Sequence, residues 1–321
     1  MPHTELIRFA SLRGHERAAA FLRKAAGDGC LAHSLMLSGA DGIGKRSLAL
    51  AFAAWLQCSN RGEDSCGTCA GCRQVAAQTH PDLRLISIAS GKKEIGVDQA
   101  RDLKRWISLR SAQGNTKIGI LLDAEMLTVA AQNALLKTLE EPPAASILIV
   151  VTNNADALLP TVRSRCQRVP IRPLSAEAVA QLLVERHGVP RASAEDLARL
   201  AEGSPGRALA LQDLLRDSNT SELLIELATH PSGRYVRLTK MAAALNTPES
   251  STNVKLELLL AKYRDAALAA AASSPAALPA LERGSSAVAN VLSALRRTNP
   301  NRQLLLEALL LRLASTTDPK H

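Results

Sequence analysis

Residues Gly39-Ala40-Asp41-Gly42-Ile43-Gly44-Lys45 form a glycine-rich run of the kind that cradles phosphates. In such loops backbone N–H groups and the lysine hold the phosphate oxygens. A Ser or Thr directly after the lysine then coordinates the Mg²⁺ that neutralises charge on the γ-phosphate. Here that position is Arg46, which has no oxygen to offer. The run Ile120-Leu121-Leu122-Asp123 presents a carboxylate after an apolar stretch, and Asp123 fits a Mg²⁺ role, directly or through water. The next residue, where a phosphate-loop ATPase needs a glutamate to activate water, is Ala124. Neighbours do not repair either loss. A helix turns about 100° per residue, so Ser47 aims away from the position of residue 46. Glu125 is displaced by about 3.8 Å along the chain, more than the reach of a general base tolerates. Gly39, Gly42, Gly44 and Lys45 are therefore expected to bind ATP or ADP weakly at most, without hydrolysis. The alternative is that the three glycines serve only as a strand-to-helix turn.

Four of the six cysteines, Cys58, Cys66, Cys69 and Cys72, follow a C-x7-C-x2-C-x2-C spacing. In a reducing compartment such a cluster reads as metal. Two-residue spacers turn successive thiolates onto one ion, and four sulfurs close the tetrahedral shell of structural Zn²⁺. A redox pair at Cys69 and Cys72, or unligated thiols, are the competing readings. Cys30 and Cys166 are expected to be buried thiols.

Other residues carry weaker signals. Arg163-Ser164-Arg165-Cys166 reads alone as a solvated basic patch. Thr152 and Asn153 sit at a strand end, as turn formers or as a polar phosphate sensor. Lys104 and Arg105 with Trp106 suggest a solvated helix face with one core-seeking ring, against a DNA-gripping face. His80, before Pro81, is expected in a turn, because four sulfurs already complete a zinc shell.

The elements that must position these groups alternate in type. Strands are predicted at Leu35–Ser38, Leu83–Ala89, Ile118–Asp123, Ile147–Thr152 and Gln167–Ile171. Helical patterns fall at Lys45–Gln57, Val97–Ile107 and Val129–Glu141, the last stopped by Pro142-Pro143. That alternation predicts a parallel sheet covered by helices, an α/β domain over 1–170 with the four-cysteine zinc module at 58–72 as an insert. Ser175 caps a helix to His187, Ser193 one to Ala201, and Gly203-Ser204-Pro205-Gly206 introduces a third to Leu215, a small helical bundle over 171–216. Residues 217–321 are Ala/Leu-rich and read as all-α, with polar breaks near Pro231-Ser232-Gly233, Asn246-Thr247-Pro248, Ser273-Ser274-Pro275 and Thr298-Asn299-Pro300. The alanine-rich run Ala266–Ala277 reads as a helix with a loose end.

The chain has 321 residues, 46% of them apolar but only 2% aromatic, so aliphatic side chains must build its core. A net charge of +9 favours polyanionic or acidic partners. No apolar run reaches the roughly 18 residues of a membrane span, and the N-terminus lacks a signal-peptide pattern, so a cytosolic, non-membrane protein is expected.

Thr79-His80-Pro81-Asp82, Asn133 to Pro143, Ser164-Arg165-Cys166, the four-cysteine insert and Gly203-Ser204-Pro205-Gly206 together resemble the clamp-loader branch of the AAA+ family. The resemblance spans about two-thirds of the chain. It implies an AAA+ domain, a three-helix lid, and an all-α C-terminal collar in a five-membered hetero-oligomer that opens a sliding clamp and places it on primed DNA. Arg46 and Ala124 are similar to the subunit type that keeps the fold and zinc module but lacks ATPase residues. In that type Arg165 serves in trans, as an arginine finger on the ATP of an adjacent motor subunit. Motor subunits also carry a sensing arginine two residues after the serine of the Gly-Ser element. Here that position is Gly206, with Arg207 one later. Two other readings are kept: an active ATPase motor with a shifted Mg²⁺ ligand, and a zinc-dependent nucleic-acid-binding module.

Overall fold

The computed structural model describes residues 8–113, 116–216, 241–243, 245–246, 249–273, 277–297 and 301–316. The chain divides into two compact units. One comprises Met1–Gly188 with Glu202–Gly206, the other Val189–Ala201 with Arg207–His321.

Five strands, β1 (Ser34–Ser38), β2 (Leu83–Ile86), β3 (Lys117–Leu121), β4 (Ser146–Thr152) and β5 (Gln167–Pro170), form one sheet in the order β2-β3-β4-β1-β5. Every pairing is parallel. β4 lies between β1 and β3, with Ser38 opposite Thr152 and Leu121 opposite Val150. The loops that leave β1, β3 and β4 therefore emerge side by side at one sheet edge.

Near-continuous apolar strands are what a sheet covered on both faces requires. Alternate side chains go to opposite layers. Leu35, Leu37, Ile118, Ile120, Ile147 and Ile149 share a core with Leu22 of α1 (Glu16–Gly27) and with Leu48 and Phe52 of α2 (Lys45–Leu56). Met36, Leu121, Leu148 and Val150 share the other core with Leu103 of α4 (Val97–Ser108) and with Ala131 and Leu135 of α5 (Val129–Glu140). Burying one such aliphatic side chain contributes about 1.5–3 kcal/mol, so the two layers hold the sheet edge rigidly under its loops.

Three predicted strands end early, β5 by one residue at Pro170. β3 stops at Leu121 because Asp123 adopts a left-handed backbone at φ 51°. β2 stops at Ile86, where its pairing with β3 ends opposite Leu121. A short helix that the sequence reading omitted, α3 (Ala70–Ala76), starts inside the cysteine insert, with Cys69 as its cap. Between β4 and β5 lies α6 (Pro160–Arg163), and after β5 comes α7 (Ala176–His187), capped by Ser175 as expected.

In the second unit, α8 spans Arg191–Leu200, starting two residues before Ser193. Next is α9 (Pro205–Arg216), whose first two residues belong to the first unit. Among the described residues, helices follow at Glu249–Ser273, Leu278–Arg297 and Arg302–Thr316. Leu256, Leu259, Val288, Leu306, Leu310 and Leu313 are buried among them. Gly284 is required there, because a Cβ would lie 2.5 Å from the Tyr263 ring. The breaks expected at 231–233 and 298–300 lie outside the described residues, as do residues 247–248 and 274–275 of the other two.

Candidate functional site

The glycine loop leaves β1 and enters α2 through Gly44, which holds φ 99°, while Gly42 holds φ 69°. A Cβ on Gly39 would lie 2.4 Å from the Ile171 carbonyl. The glycines are thus demanded by the turn itself. Lys45 is buried, and its ammonium donates to the carbonyls of Gly39 at 2.8 Å and Ala40 at 2.6 Å. Desolvation lowers its pKa, against the pull of Asp41, Glu125 and Asp123. The lysine is therefore turned onto its own loop rather than outward.

A cleft of about 310 Å³ opens beside the loop, lined by Asp41, Lys45, Arg46, Asp123, Thr152 and Asn153 among others. Burial raises the Asp123 pKa, as does Asp41, while Lys45 and Arg46 lower it. The methyl of Ala124 is fully buried in the apolar layer, so that position directs nothing at the cleft. Glu125 is already engaged: its Oε2 accepts from Thr152 Oγ1 at 2.7 Å and from the Asn153 amide at 3.2 Å. Thr152 is fully buried and accepts in turn from the Asn154 amide. Both residues are thus built into the turn after β4.

Two further segments close on the loop. Ser204 Oγ donates to the Asp41 carbonyl at 2.8 Å, and the Gly206 amide donates to the Gly42 carbonyl at 2.9 Å. A Cβ at residue 206 would lie 2.9 Å from Gly42 Cα. That is the physical reason no arginine stands there: the two backbones touch. Arg207, one residue on, pairs with Glu257 at 2.8 Å within the second unit. From the other side, the buried His15 donates through Nε2 to the Ile43 carbonyl at 2.6 Å. His15 escaped the sequence reading, and its signal was Gly14-His15-Glu16 immediately ahead of a helical pattern.

The four cysteines converge. Their sulfurs all lie within 4.8 Å of one another, with Cys66–Cys72 and Cys58–Cys69 at 4.0 Å. A tetrahedral ion with metal–sulfur bonds of about 2.3 Å would set sulfurs about 3.8 Å apart, so the cluster could hold a metal ion of the zinc type. Amides of Cys66, Cys69 and Cys72 point at the sulfurs of Cys58, Cys66 and Cys69 at 3.3–3.4 Å, as bonds that favour thiolates do. At Cys69 burial acts upward, but hydrogen bonds from Cys72 and Ser59 win and lower the thiol to about 6. Burial instead raises Cys72. The insert is also anchored outward: Asp64 accepts from the amides of Phe9 at 3.1 Å and Ala10 at 2.9 Å. The cysteine insert thereby fixes the segment that leads to His15.

Arg165 stands elsewhere, between α6 and β5, with a third of its side chain exposed. Its guanidinium pairs with Glu140 at the end of α5 and donates to the Thr161 carbonyl at 2.8 Å. Arg163 pairs with Asp156. A buried glutamine, Gln132, ties α5 to this segment by accepting from the Leu159 amide at 2.7 Å. Cys166 is buried, its thiol raised to about 11 by that burial, but Cys30 is exposed, which corrects the expectation that both are buried. Cys30 lies in the turn after α1, where nothing covers it.

Asp82 of Thr79-His80-Pro81-Asp82 is fully buried and accepts from Ser111 Oγ, the Ala112 amide and the Gln113 amide at 2.8–3.0 Å. The buried His80 takes the Asp82 amide at Nδ1, so this motif clamps the chain ahead of β3 and stays apart from the cysteines. Lys104 and Arg105 are exposed and, with Arg101 and Lys137, line a basic cleft of about 410 Å³. Trp106 is half-buried with the Lys117 ammonium 4.4 Å from its ring centroid, as a core-seeking ring should be. Among the described residues, no helix is long and apolar enough to cross a membrane.

Residues 14–175 match the protein family described as DNA polymerase III, delta subunit. Over 180 residues the chain is 37% identical to DNA polymerase III subunit delta' of Escherichia coli K12, covering 56% of this chain and 54% of that one. It is 30% identical over 269 residues to DNA polymerase III subunit tau of Bacillus subtilis, covering 81% of this chain and 47% of that one. The chain spans about half the length of the curated relatives it matches. Among solved structures, a DNA polymerase III gamma-subunit-related protein from Thermotoga maritima is similar at 17% identity with a TM-score of 0.46, over 94% of this chain and 99% of that one.

Proposed function

The chain belongs to the bacterial DNA polymerase III delta-prime family, and from that premise we propose that it is a non-hydrolysing clamp-loader subunit of the polymerase III holoenzyme. It sits in a hetero-pentamer with gamma/tau motor subunits and a delta subunit, in the cytoplasm and at the nucleoid during replication. The assembly opens the sliding clamp and loads it on primed DNA. The chain itself is an accessory subunit of a nucleotidyltransferase machine, with no ATPase of its own.

Within it, residues 1–170 act as an AAA+ domain, 171–216 as a three-helix lid and 217–321 as a collar that joins it to the other subunits. Cys58, Cys66, Cys69 and Cys72 hold structural Zn²⁺, whose chemistry here is to close a tetrahedral shell and tie the insert together. Gly39, Gly42, Gly44 and Lys45 keep at most a weak ATP or ADP site. Arg165 acts in trans on the triphosphate of the neighbouring motor subunit, where a planar fork of N–H donors stabilises transition-state charge.

One observation carries this reading. The chain's own loop is satisfied from within, with Lys45 on the Gly39 and Ala40 carbonyls beside Arg46 and Ala124, whereas Arg165 keeps a partly exposed guanidinium at the surface. The test combines the chain with its motor subunits and compares Arg165→Ala with the parent. The assembly's ATPase should fall at least about a thousandfold at the served interface, while the isolated chain shows no turnover. Turnover by the isolated chain near 1 s⁻¹ that disappears on Lys45→Ala would establish an active motor instead.

A further inference from the structure

Arg165 is already bound, by an acid that its proposed task does not need. Glu140 occupies the last turn of α5, which Glu141 and Pro142-Pro143 then terminate, so its place on the surface is set by the helix. Its carboxylate pairs with the Arg165 guanidinium, while the Thr161 carbonyl takes a second donor of the same group at 2.8 Å. The free carbonyls at a helix C-terminus add negative potential around the cation. Both partners remain partly exposed, 33% for Arg165 and 48% for Glu140, so the pair is reversible rather than buried.

A carboxylate and a γ-phosphate compete for the same face of a guanidinium, because both accept its forked N–H donors. The phosphate carries the larger charge, and hydrolysis removes it. We propose that Glu140 is a holding residue for Arg165: it keeps the guanidinium folded against α5 until a neighbour's γ-phosphate draws it away, and takes it back once that phosphate has left. This rests on the reading of Arg165 as a finger in trans. Glu140 touches no substrate and is a positioning residue. Its effect is on how readily the neighbouring site accepts ATP, since binding must first break the pair.

The test uses the full chain assembled with its motor subunits, and ATP as the titrant. Glu140→Gln is isosteric and removes one negative charge from a helix C-terminus, so folding is not expected to suffer. Glu140→Ala, also favourable in a helix, serves as the second variant. Without the competing carboxylate, the apparent KM for ATP should fall about two- to fivefold, the range an exposed ion pair allows, with kcat undiminished. Glu140→Asp, which keeps the charge, should return KM toward the parent value. If Arg165→Ala cuts ATPase but both Glu140→Gln and Glu140→Ala leave KM unchanged, or cut kcat instead, the holding role is wrong and the finger stands. If Arg165→Ala has no effect, the finger reading itself falls, and the holding role with it.

Discussion

The phosphate loop and the Arg165 segment belong to one unit of the chain, and both carry a cation suited to a triphosphate, yet they treat it in opposite ways. Lys45 is buried and satisfied by two carbonyls of its own loop, with Gly206 and His15 closing from either side. Arg165 is held at the surface by a half-exposed carboxylate, the Thr161 carbonyl and the Ser164 hydroxyl. Releasing the first requires a buried ammonium to leave two carbonyls of its own loop. Releasing the second requires a partly exposed ion pair and the hydrogen bonds to Thr161 and Ser164 to break, all at the surface. Glycines demanded by a turn would be kept even by a loop without catalytic chemistry, whereas the proposed role of Arg165 on another chain requires it to remain detachable.

The largest expected effect separates the two regions directly. Arg165→Lys should lower the assembly's ATPase about a hundredfold at the served interface, because a point charge does not replace a planar fork. Arg46→Ser, which returns a hydroxyl to the loop, should still leave the isolated chain without turnover, since Ala124 supplies no base. Steady-state phosphate release measures both, and the opposite pattern would reverse the roles assigned to the two regions.

Next comes the anchor on one side of the closed loop. Metal analysis should find one zinc per chain, and Cys66→Ser should lose it along with roughly 3 kcal/mol of stability in denaturant titration. Asp64 would then hold Phe9 and Ala10 less firmly, so protection of amides near His15 from hydrogen exchange should fall as well. Unchanged stability after complete zinc removal would separate the insert from the loop.

On the other side, Gly206→Ala drives a Cβ to within 2.9 Å of Gly42 Cα, and should cost about 2 kcal/mol. A neutral result in thermal unfolding would mean that the contact between Gly206 and Gly42 yields easily, and that the loop is less closed than its hydrogen bonds indicate.

The smallest effect concerns Asp123, whose folded pKa is raised by burial and by Asp41. A raised carboxylate binds its proton more tightly folded than unfolded, so it opposes stability once pH rises above its unfolded value near 3.8, the penalty being complete above the folded pKa. Asp123→Asn, which tolerates the left-handed backbone, should therefore stabilise by roughly 0.5–1 kcal/mol at pH 7. That gain should vanish in melts below about pH 4. A gain that persists in acid would have another cause.

Much of this was legible before any coordinates. Apolar strands alternating with 3.6-residue patterns pointed to a parallel α/β sheet, because each helix between two strands serves as a crossover that covers a sheet face. Arg46 and Ala124 stand where a Mg²⁺ ligand and a general base would be expected, which side-chain chemistry alone tells, and the cysteine spacing predicted a four-sulfur cluster that the fold assembles. These are local properties, set by residue type over a few positions. Strand ends were less legible, since the turn at Asp123 depends on a backbone state that spacing does not encode. Cys30 was misplaced because burial depends on what lies across the fold.

What tertiary structure alone decided are the contacts between residues far apart in sequence. Gly206 meets Gly42, His15 meets Ile43, Asp64 holds Phe9, and Glu140 takes Arg165, each across a separation that no periodicity spans. The amino-acid sequence determined which groups could do chemistry and which could not. Only the folded chain decided which cation is buried and which stays partly exposed, because burial depends on what packs around each one in space.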